Sequence, residues 1–343
     1  VLWSMFELGL WPSLKLGKKA ARVVGDAMGK YHPHGDAGTY GAMVTLACTV
    51  PPLVDGSGNW STPVDREAAM RYTEAKLSKF AMSFLMDKDY LEVAQMALNY
   101  SGDAKIPLVM PALLPMLLVL GNTQIPAYGV ACGNPIFTLR SVSKLVIALL
   151  KGKKATVDLL MDTLEVRNDL GCEVIHDAQK SELRSLLTTG RGGLTYCPLM
   201  EVEYKTKEIY IRSYGPRFSS EDGVAKMILK LSGVEDVSKV RDDSGVKNPR
   251  SGYWSACFTV VPVRGISEDR LHELFLKVKK MLTARESYDL GVTIRKPDRT
   301  GFTKLNYVKF INVWIKARIR LEEAHIDNQV SRRKAKLHVK EGI

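Results

Sequence analysis

Several kinds of sequence signal are missing from this 343-residue chain, and each absence excludes a class of protein. The five cysteines form no C-x-x-C pair and are odd in number, which favours reduced thiols in a cytoplasmic protein over a secreted disulfide scaffold. The most apolar stretch, Ile106 to Leu120, is too short to span a bilayer and contains prolines, so we expect no membrane segment. No signal peptide is visible, and the chain begins without methionine, so we expect a fragment of a longer protein.

Motifs for nucleotides and metals are also missing. The string Gly190 to Gly193 has no following Lys and Ser or Thr, as a P-loop requires, so it predicts a turn before a strand. His32, His34 and Asp36 are close in sequence, but the Pro-Gly bend among them suits a tight turn. We therefore predict no metal site in this chain.

Positive charge is in excess and unevenly distributed. The formal net charge is +12, and residues 304–343 carry ten Lys and Arg against four Asp and Glu. A segment of this kind favours a polyanionic partner such as nucleic acid. A soluble basic protein with scattered lysines is the alternative.

The beginning of the chain has a helical pattern with a sharp bend. We predict helices over Val1–Trp11, Lys18–Met28 and Asp36–Thr49, with Asp36 as the N-cap of the third. Helix, tight turn, helix is the plan of a helix-turn-helix, whose second helix enters a DNA groove. Gly38 and Gly41 leave one face of that helix nearly bare. An ordinary helical hairpin is the alternative.

The remaining pattern predicts a multidomain α+β protein. Helix is expected again from Ala68 and over Tyr90–Leu98, and 304–340 reads as one long basic helix typical of a coiled-coil arm. Further strands are expected at 201–204, 208–212 and 257–263, and further helices at 223–231 and 266–282.

The string Ala68 to Glu74 carries the clearest chemistry, because it places a guanidinium beside a phenol. A guanidinium can hold a phosphate with two hydrogen bonds while a neighbouring hydroxyl attacks it. By itself, however, a Tyr next to an Arg is usually only part of a protein surface.

Several strings in this order resemble the breakage-reunion subunit of bacterial-type type IIA topoisomerases, the family of gyrase A and topoisomerase IV ParC. The resemblance covers essentially the whole chain, and its divergent loops fit a phage enzyme as well as a bacterial one. The strings are Lys18–Asp26, Tyr31–Asp36, Asp55–Trp60, Ala68–Glu74, Asn99–Gly102, Leu117–Val119, Thr189–Gly192 and Val237–Asp242.

The resemblance implies a domain plan and a catalytic set. It implies a winged-helix domain over 1–105, lacking its N-terminal part, an α/β tower domain over 106–303 and a truncated coiled-coil helix over 304–343. Tyr72 matches the nucleophile, which forms a transient 5′-phosphotyrosine, and Arg71 matches the residue that stabilises the transition state. His32 and His34 match histidines near the scissile phosphate.

The resemblance also implies DNA contacts. Ile125 falls where the family carries an isoleucine that wedges between base pairs and bends the DNA, although an ordinary loop isoleucine remains the alternative. Ala37 and Gly41 replace a serine and an acidic residue that anchor the magnesium-water bridge to quinolone drugs. The other residues expected at the DNA are Lys18, Lys19, Arg22, Lys30, Ala37, Thr39 and Arg191.

Partners and cofactors follow from the same resemblance. It implies a homodimer that binds double-stranded DNA and forms a heterotetramer with an ATPase/toprim subunit. That subunit would use the ATP and hold most of the Mg²⁺. The expected function is cleavage and religation in an ATP-hydrolysing type II topoisomerase. The alternative is a DNA-binding or architectural relative without cleavage.

Overall fold

The computed structural model describes residues 1–61, 66–120, 133–167, 172–174, 180–215, 221–244, 257–288, 291–296 and 301–342. These residues form both helices and strands, which are interspersed along the chain. The chain divides into two compact units. The domain limits at 105 and 303 come from the sequence and remain predictions. The first unit comprises Val1–Trp60, Ala68–Glu165 and Val292–Ile343, and the second comprises Ser61–Glu67 and Val166–Gly291.

The first unit begins with helices around a small sheet. Its three antiparallel strands lie in the order β1-β3-β2, with β3 in the centre. The elements are α1 (Leu2–Glu7), β1 (Lys18–Lys19), α2 (Ala20–Lys30), α3 (Asp36–Cys48), β2 (Val54–Ser57) and β3 (Glu74–Leu77).

Backbone conformation and strand pairing explain where the predicted helix ends were wrong. The first helix stops at Glu7 rather than Trp11, since Gly9 has the left-handed φ of +69° that commonly ends a helix. Lys18 and Lys19 are extended, because they pair with β3. Gly35 rather than Asp36 is the N-cap of α3. Asp36 lies in the first turn, where a negative charge is favourable.

Two predicted helices are strands or turns. No helix begins at Ala68, since β3 buries Ala75 and Leu77 at alternate positions, as a strand does. Of the helix predicted over Tyr90–Leu98, only the start is helical, as the end of the short helix Lys88–Leu91. Met96–Leu98 is a strand.

The first unit continues with short elements. Strands β4 and β5 form an antiparallel pair. The elements are α4 (Lys79–Phe84), α5 (Lys88–Leu91), β4 (Met96–Leu98), β5 (Lys105–Pro107), α6 (Met116–Leu120), β6 (Ile136–Phe137), α7 (Leu139–Leu150) and α8 (Val157–Thr163).

The second unit is built on a four-stranded antiparallel sheet of order β10-β11-β13-β12. Apolar residues of this sheet and of two helices form its core. Its elements are β7 (Val166–Arg167), β8 (Glu173–Val174), α9 (Lys180–Thr189), β9 (Gly192–Cys197), β10 (Met200–Glu203), β11 (Glu208–Ile211), α10 (Glu221–Ser232), β12 (Val237–Asp242), β13 (Phe258–Pro262), α11 (Glu268–Leu282) and β14 (Ala284–Tyr288). The strands and helices predicted between residues 201 and 282 are confirmed within a few residues.

The chain then returns to the first unit through β15 (Val292–Arg295), β16 (Phe302–Leu305) and α12 (Tyr307–Glu341). The Asn306 side chain caps α12 by accepting a hydrogen bond from the Lys309 N–H at 2.8 Å. Tyr307 is fully buried and donates to Asn134 at 2.7 Å, which anchors the start of the helix. Among the residues described above, no helix combines the length and the apolar character that a membrane crossing needs.

Candidate functional site

Arg71 and Tyr72 lie on an exposed turn that leads into β3. The Tyr72 N–H donates to the Ala69 carbonyl at 2.8 Å, which closes the turn. The Arg71 guanidinium carbon lies 4.7 Å from the centre of the Tyr72 ring, and Tyr72 is 64% exposed. The turn therefore presents a positive charge and a phenol together at the surface.

The start of helix α2 fixes this turn from one side. The first N–H groups of a helix have no partner within the helix, and the N-cap Lys19 supplies none from its side chain. Instead, Ala20 N–H donates to the Thr73 carbonyl at 3.0 Å and Ala21 N–H donates to the Met70 carbonyl at 3.2 Å. The tyrosine turn thus caps the helix, and the helix positions the turn.

Lys19 adds a side-chain contact to the same turn. Its Nζ lies 3.0 Å from the Glu74 carboxylate and 3.4 Å from the carbonyl oxygen of Tyr72. Of the residues expected at the DNA, Lys19 therefore directly contacts the backbone of Tyr72. Lys18 is exposed on the same strand, and Arg22 is exposed on the first turns of α2.

Helix α3 also contacts the turn, through the side chain of Tyr40. The Tyr40 hydroxyl donates to the Ala68 carbonyl at 2.5 Å and lies 3.0 Å from the Thr73 hydroxyl. Both Tyr40 and Thr73 are buried. The sequence motifs did not predict this pair, and a polar residue among buried positions of α3 was the only signal that could have indicated it.

The two histidines lie on the bend between α2 and α3. Their rings stack with centroids 4.3 Å apart, and both residues are exposed. Partial burial, with smaller contributions from the charge of His34 and the amino terminus, lowers the pKa of His32 below its ordinary 6.5. The lowered pKa favours the neutral form of the His32 imidazole, which can still donate a hydrogen bond.

A second turn holds the end of α2 next to this bend. The Asn99 side-chain amide donates to the Lys30 carbonyl at 2.7 Å, and the Tyr100 hydroxyl donates to the Gly29 carbonyl at 2.6 Å. These bonds satisfy carbonyls that a helix end leaves open. Hydrogen bonds from Ser101 and Asn99 lower the pKa of Asp103 and keep this turn anionic.

The exposed face of α3 carries small side chains. Ala37 and Gly38 are exposed, and a Cβ built on Gly38 or Gly41 would meet no heavy atom within 4 Å. A backbone or a base edge could therefore approach this helix closely. Thr39 points elsewhere, since it is 4% exposed and its hydroxyl donates to the Gly35 carbonyl at 3.3 Å.

Three further DNA contacts were predicted from the sequence. Lys30 forms an ion pair with Asp26 at 2.8 Å, and that carboxylate raises the lysine pKa. Arg191 is exposed on the turn before β9 in the second unit, where its carbonyl accepts from Ser185 at 3.0 Å. Ile125 lies outside the described residues. The roles of all three at DNA stay predictions.

The described residues offer no obvious metal ligand set. Among them, no three His, Cys, Asp or Glu side chains group together as a metal ion would require. The described residues therefore do not themselves supply a ligand set for the magnesium that the resemblance implies.

The chain matches known proteins over its full length. A family model described as the A subunit of DNA gyrase/topoisomerase IV matches residues 1–343. The A subunit of DNA topoisomerase 4 from Salmonella typhimurium is 32% identical over 356 residues, covering 100% of this chain and 44% of the relative. The A subunit of DNA gyrase from Metamycoplasma arthritidis is 30% identical over 356 residues, covering 100% of this chain and 37% of the relative.

A further relative matches a shorter part. The A subunit of DNA gyrase from Halalkalibacterium halodurans is 35% identical over 261 residues, covering 72% of this chain and 30% of the relative. The chain thus spans less than half the length of these relatives.

Proposed function

Because the chain belongs to the family of the DNA gyrase/topoisomerase IV A subunit, we propose that it is the DNA cleavage and religation part of a type IIA topoisomerase. The observation that carries this proposal is the exposed Arg71–Tyr72 pair on a turn held by backbone hydrogen bonds from α2. A binding-only relative is not favoured by the family match.

The proposed reaction is an exchange of phosphodiester bonds. The Tyr72 phenolic oxygen attacks a DNA phosphorus, the new bond is a 5′-phosphotyrosine, and the bond from phosphorus to the 3′ oxygen breaks. The proton lost by the phenol is matched by the one gained by the released 3′-hydroxyl. Religation reverses these changes. The phosphotyrosine conserves the bond energy, so resealing needs no ATP.

The neighbouring residues have distinct proposed roles. Arg71 would stabilise the negative charge that develops on the phosphoryl oxygens, and its guanidinium beside the Tyr72 phenol supports this role. His32 would donate a hydrogen bond to the DNA phosphate, with His34 stacked beside it. Lys19 and Arg22 would contact the phosphate backbone next to the turn.

We also propose the family's larger assembly for this chain. The helices and sheet around the Tyr72 turn would act as a winged-helix domain over 1–105, with a tower over 106–303 and a coiled-coil arm over 304–343. The protein would work as a homodimer with an ATPase/toprim subunit that holds Mg²⁺ and uses ATP. The double-strand break would let another duplex pass, changing supercoiling or catenation.

The proposal is tested by trapping the covalent intermediate. The full chain, mixed with its ATPase/toprim subunit, Mg²⁺ and plasmid DNA, is stopped with SDS, and protein-linked DNA is measured. We expect adducts from the parent and none from Tyr72→Phe, while DNA affinity stays within about threefold because no phosphate-binding charge is lost.

Tyr204→Phe is the matched control, because Tyr204 is another exposed tyrosine, located in the second unit. It should form adducts as the parent does. Adducts from Tyr72→Phe would show that another residue is the nucleophile. DNA binding without adducts from the parent would support the architectural alternative.

A further inference from the structure

We propose that Tyr40 is a positioning residue for the nucleophile, and that its hydroxyl couples helix α3 to the turn carrying Tyr72. This inference rests on the proposed cleavage function and deepens it. It assigns a role to a residue of α3 that does not itself contact the reacting atoms.

The hydroxyl of Tyr40 contacts both ends of the turn. It donates to the carbonyl of Ala68, which precedes the turn, and it lies 3.0 Å from the hydroxyl of Thr73, which follows it. Arg71 and Tyr72 lie between those two points. One side chain of α3 therefore sets the separation and position of the two ends from which the nucleophile projects.

Tyr40 and Thr73 are both buried, which restricts the distance and orientation of their hydroxyls. Tyr40 is 8% exposed and Thr73 is fully buried, so water has little access to replace a lost bond. The Tyr40 ring packs against Trp60 with centroids 5.8 Å apart. Gly56 leaves the space that the Trp60 ring fills, since a Cβ there would overlap with the indole nitrogen. Packing of the Tyr40 ring against Trp60 thus restricts the position of the hydroxyl.

Helix α2 holds the same turn through backbone hydrogen bonds. The carbonyls of Met70 and Thr73 accept hydrogen bonds from the first N–H groups of α2. The turn is therefore hydrogen-bonded to both α2 and α3. The Tyr40 contacts come from α3, the helix whose bare face begins at Ala37 and Gly38. A DNA duplex seated on that face would bear on the helix that aligns Tyr72.

Small displacements at a reacting atom are costly. A shift of about 1 Å can lower a rate about a hundredfold. We therefore expect Tyr40→Phe to slow single-turnover DNA cleavage by about tenfold to a hundredfold, with DNA affinity within about threefold of the parent. A role in stability alone would lower the melting temperature without this selective loss of rate.

The second unit offers a matched control. The hydroxyls of Tyr196 and Tyr288, two buried residues of that unit, lie 2.7 Å apart, so Tyr288→Phe breaks a comparable hydroxyl pair. It should lower the melting temperature to a similar extent and leave cleavage unchanged. Equal slowing in both variants would overturn the proposal, as would parental cleavage by Tyr40→Phe.

Variants of Thr73 keep the test decisive if Tyr40→Phe fails to fold. Thr73→Ser retains the hydroxyl and should cleave at close to the parental rate, whereas Thr73→Val retains the shape and should be slow. Equal rates for the two would contradict the coupling.

A readout that does not require cleavage separates this inference from the proposed function. With 3-fluorotyrosine at position 72, we expect one sharp ¹⁹F resonance in the parent and a shifted or broadened one in Tyr40→Phe. An unchanged resonance would overturn the positioning role even in an active enzyme. A changed resonance in a protein that never forms adducts would reject only the cleavage function.

Discussion

The imidazole rings of His32 and His34 lie face to face, with centroids 4.3 Å apart and planes only 14° from parallel. Two protonated rings at this distance would repel each other. Burial and this neighbouring charge are the two largest causes that lower the pKa of His32.

The lowered pKa predicts a loss of stability in acid. In the unfolded chain His32 has its ordinary pKa of 6.5, so below that pH the unfolded state binds more protons than the folded state. The free energy of unfolding should therefore fall as the pH drops through 6.5. Urea unfolding from pH 7.5 to 5 should show a shallower slope for His32→Gln than for the parent. His338→Gln, at the far end of α12, is the control, and identical slopes in all three proteins would contradict this.

His34→Ala should raise the pKa of His32 without restoring it fully, because burial remains the larger cause. An NMR titration of the His32 ring protons measures the shift directly. A His32 pKa that does not move in this variant would show that the stacked ring has no electrostatic effect.

Arg71→Lys should slow cleavage by about a hundredfold or more while DNA binding persists, since a point charge cannot reproduce the planar guanidinium. Arg212→Lys is a closely matched control, because its guanidinium also lies 4.7 Å from a tyrosine ring, that of Tyr210 in the second unit. Covalent adduct formation measures both. Parental activity in Arg71→Lys would leave Arg71 as a structural neighbour of the nucleophile.

Gly38→Ala should raise the stability of the protein and lower its affinity for DNA. Nothing lies within 4 Å of the added Cβ, and alanine is favoured over glycine in a helix by about 1 kcal/mol, so the protein should become more stable. DNA affinity should fall, because the methyl group stands on the face that we propose DNA approaches. The salt dependence of binding should stay the same, unlike in Arg22→Ala, which removes a charge. Unchanged affinity would argue that DNA does not approach this face closely.

Fluoroquinolones should trap cleaved DNA poorly. Ala37 has no hydroxyl and Gly41 no carboxylate, so neither can hold a water on a drug-bound magnesium. A lost charge-assisted hydrogen bond is worth about 1.5–3 kcal/mol, or about tenfold to a hundredfold in affinity. Ala37→Ser with Gly41→Asp should partly restore trapping, and both sites have room for a side chain. Equal trapping by ciprofloxacin in the parent and the double variant would refute this.

Sequence patterns predict elements well where the signal is local. The strands and helices of the second unit follow from alternation and from the 3.6-residue period, and the helix from Asp36 follows from its flanking bend. The motif around Arg71 and Tyr72 likewise indicates a pair of side chains that the fold leaves at the surface.

Patterns fail where distant residues decide the conformation. The turn before β3 was predicted as helix because its partners, the N–H groups of Ala20 and Ala21, are about 50 residues away in the chain. The Tyr40–Thr73 hydroxyl pair joins residues that are 33 positions apart, so no local helix or strand periodicity predicts it. The motif therefore predicts the Arg71–Tyr72 pair from the sequence alone, whereas the contacts that hold its turn are visible only in the fold.

Helix α2 is bonded at its first turn to the tyrosine turn and at its last turn to the Asn99–Asp103 turn. It comprises 11 residues, so it is about 16 Å long at about 1.5 Å per residue. The length of this helix therefore sets the distance between the histidine bend and the turn that carries Tyr72. One inserted residue would lengthen it by about 1.5 Å and rotate its end by about 100°. Relatives that keep this chemistry should vary in the sequence of this helix but not in its length.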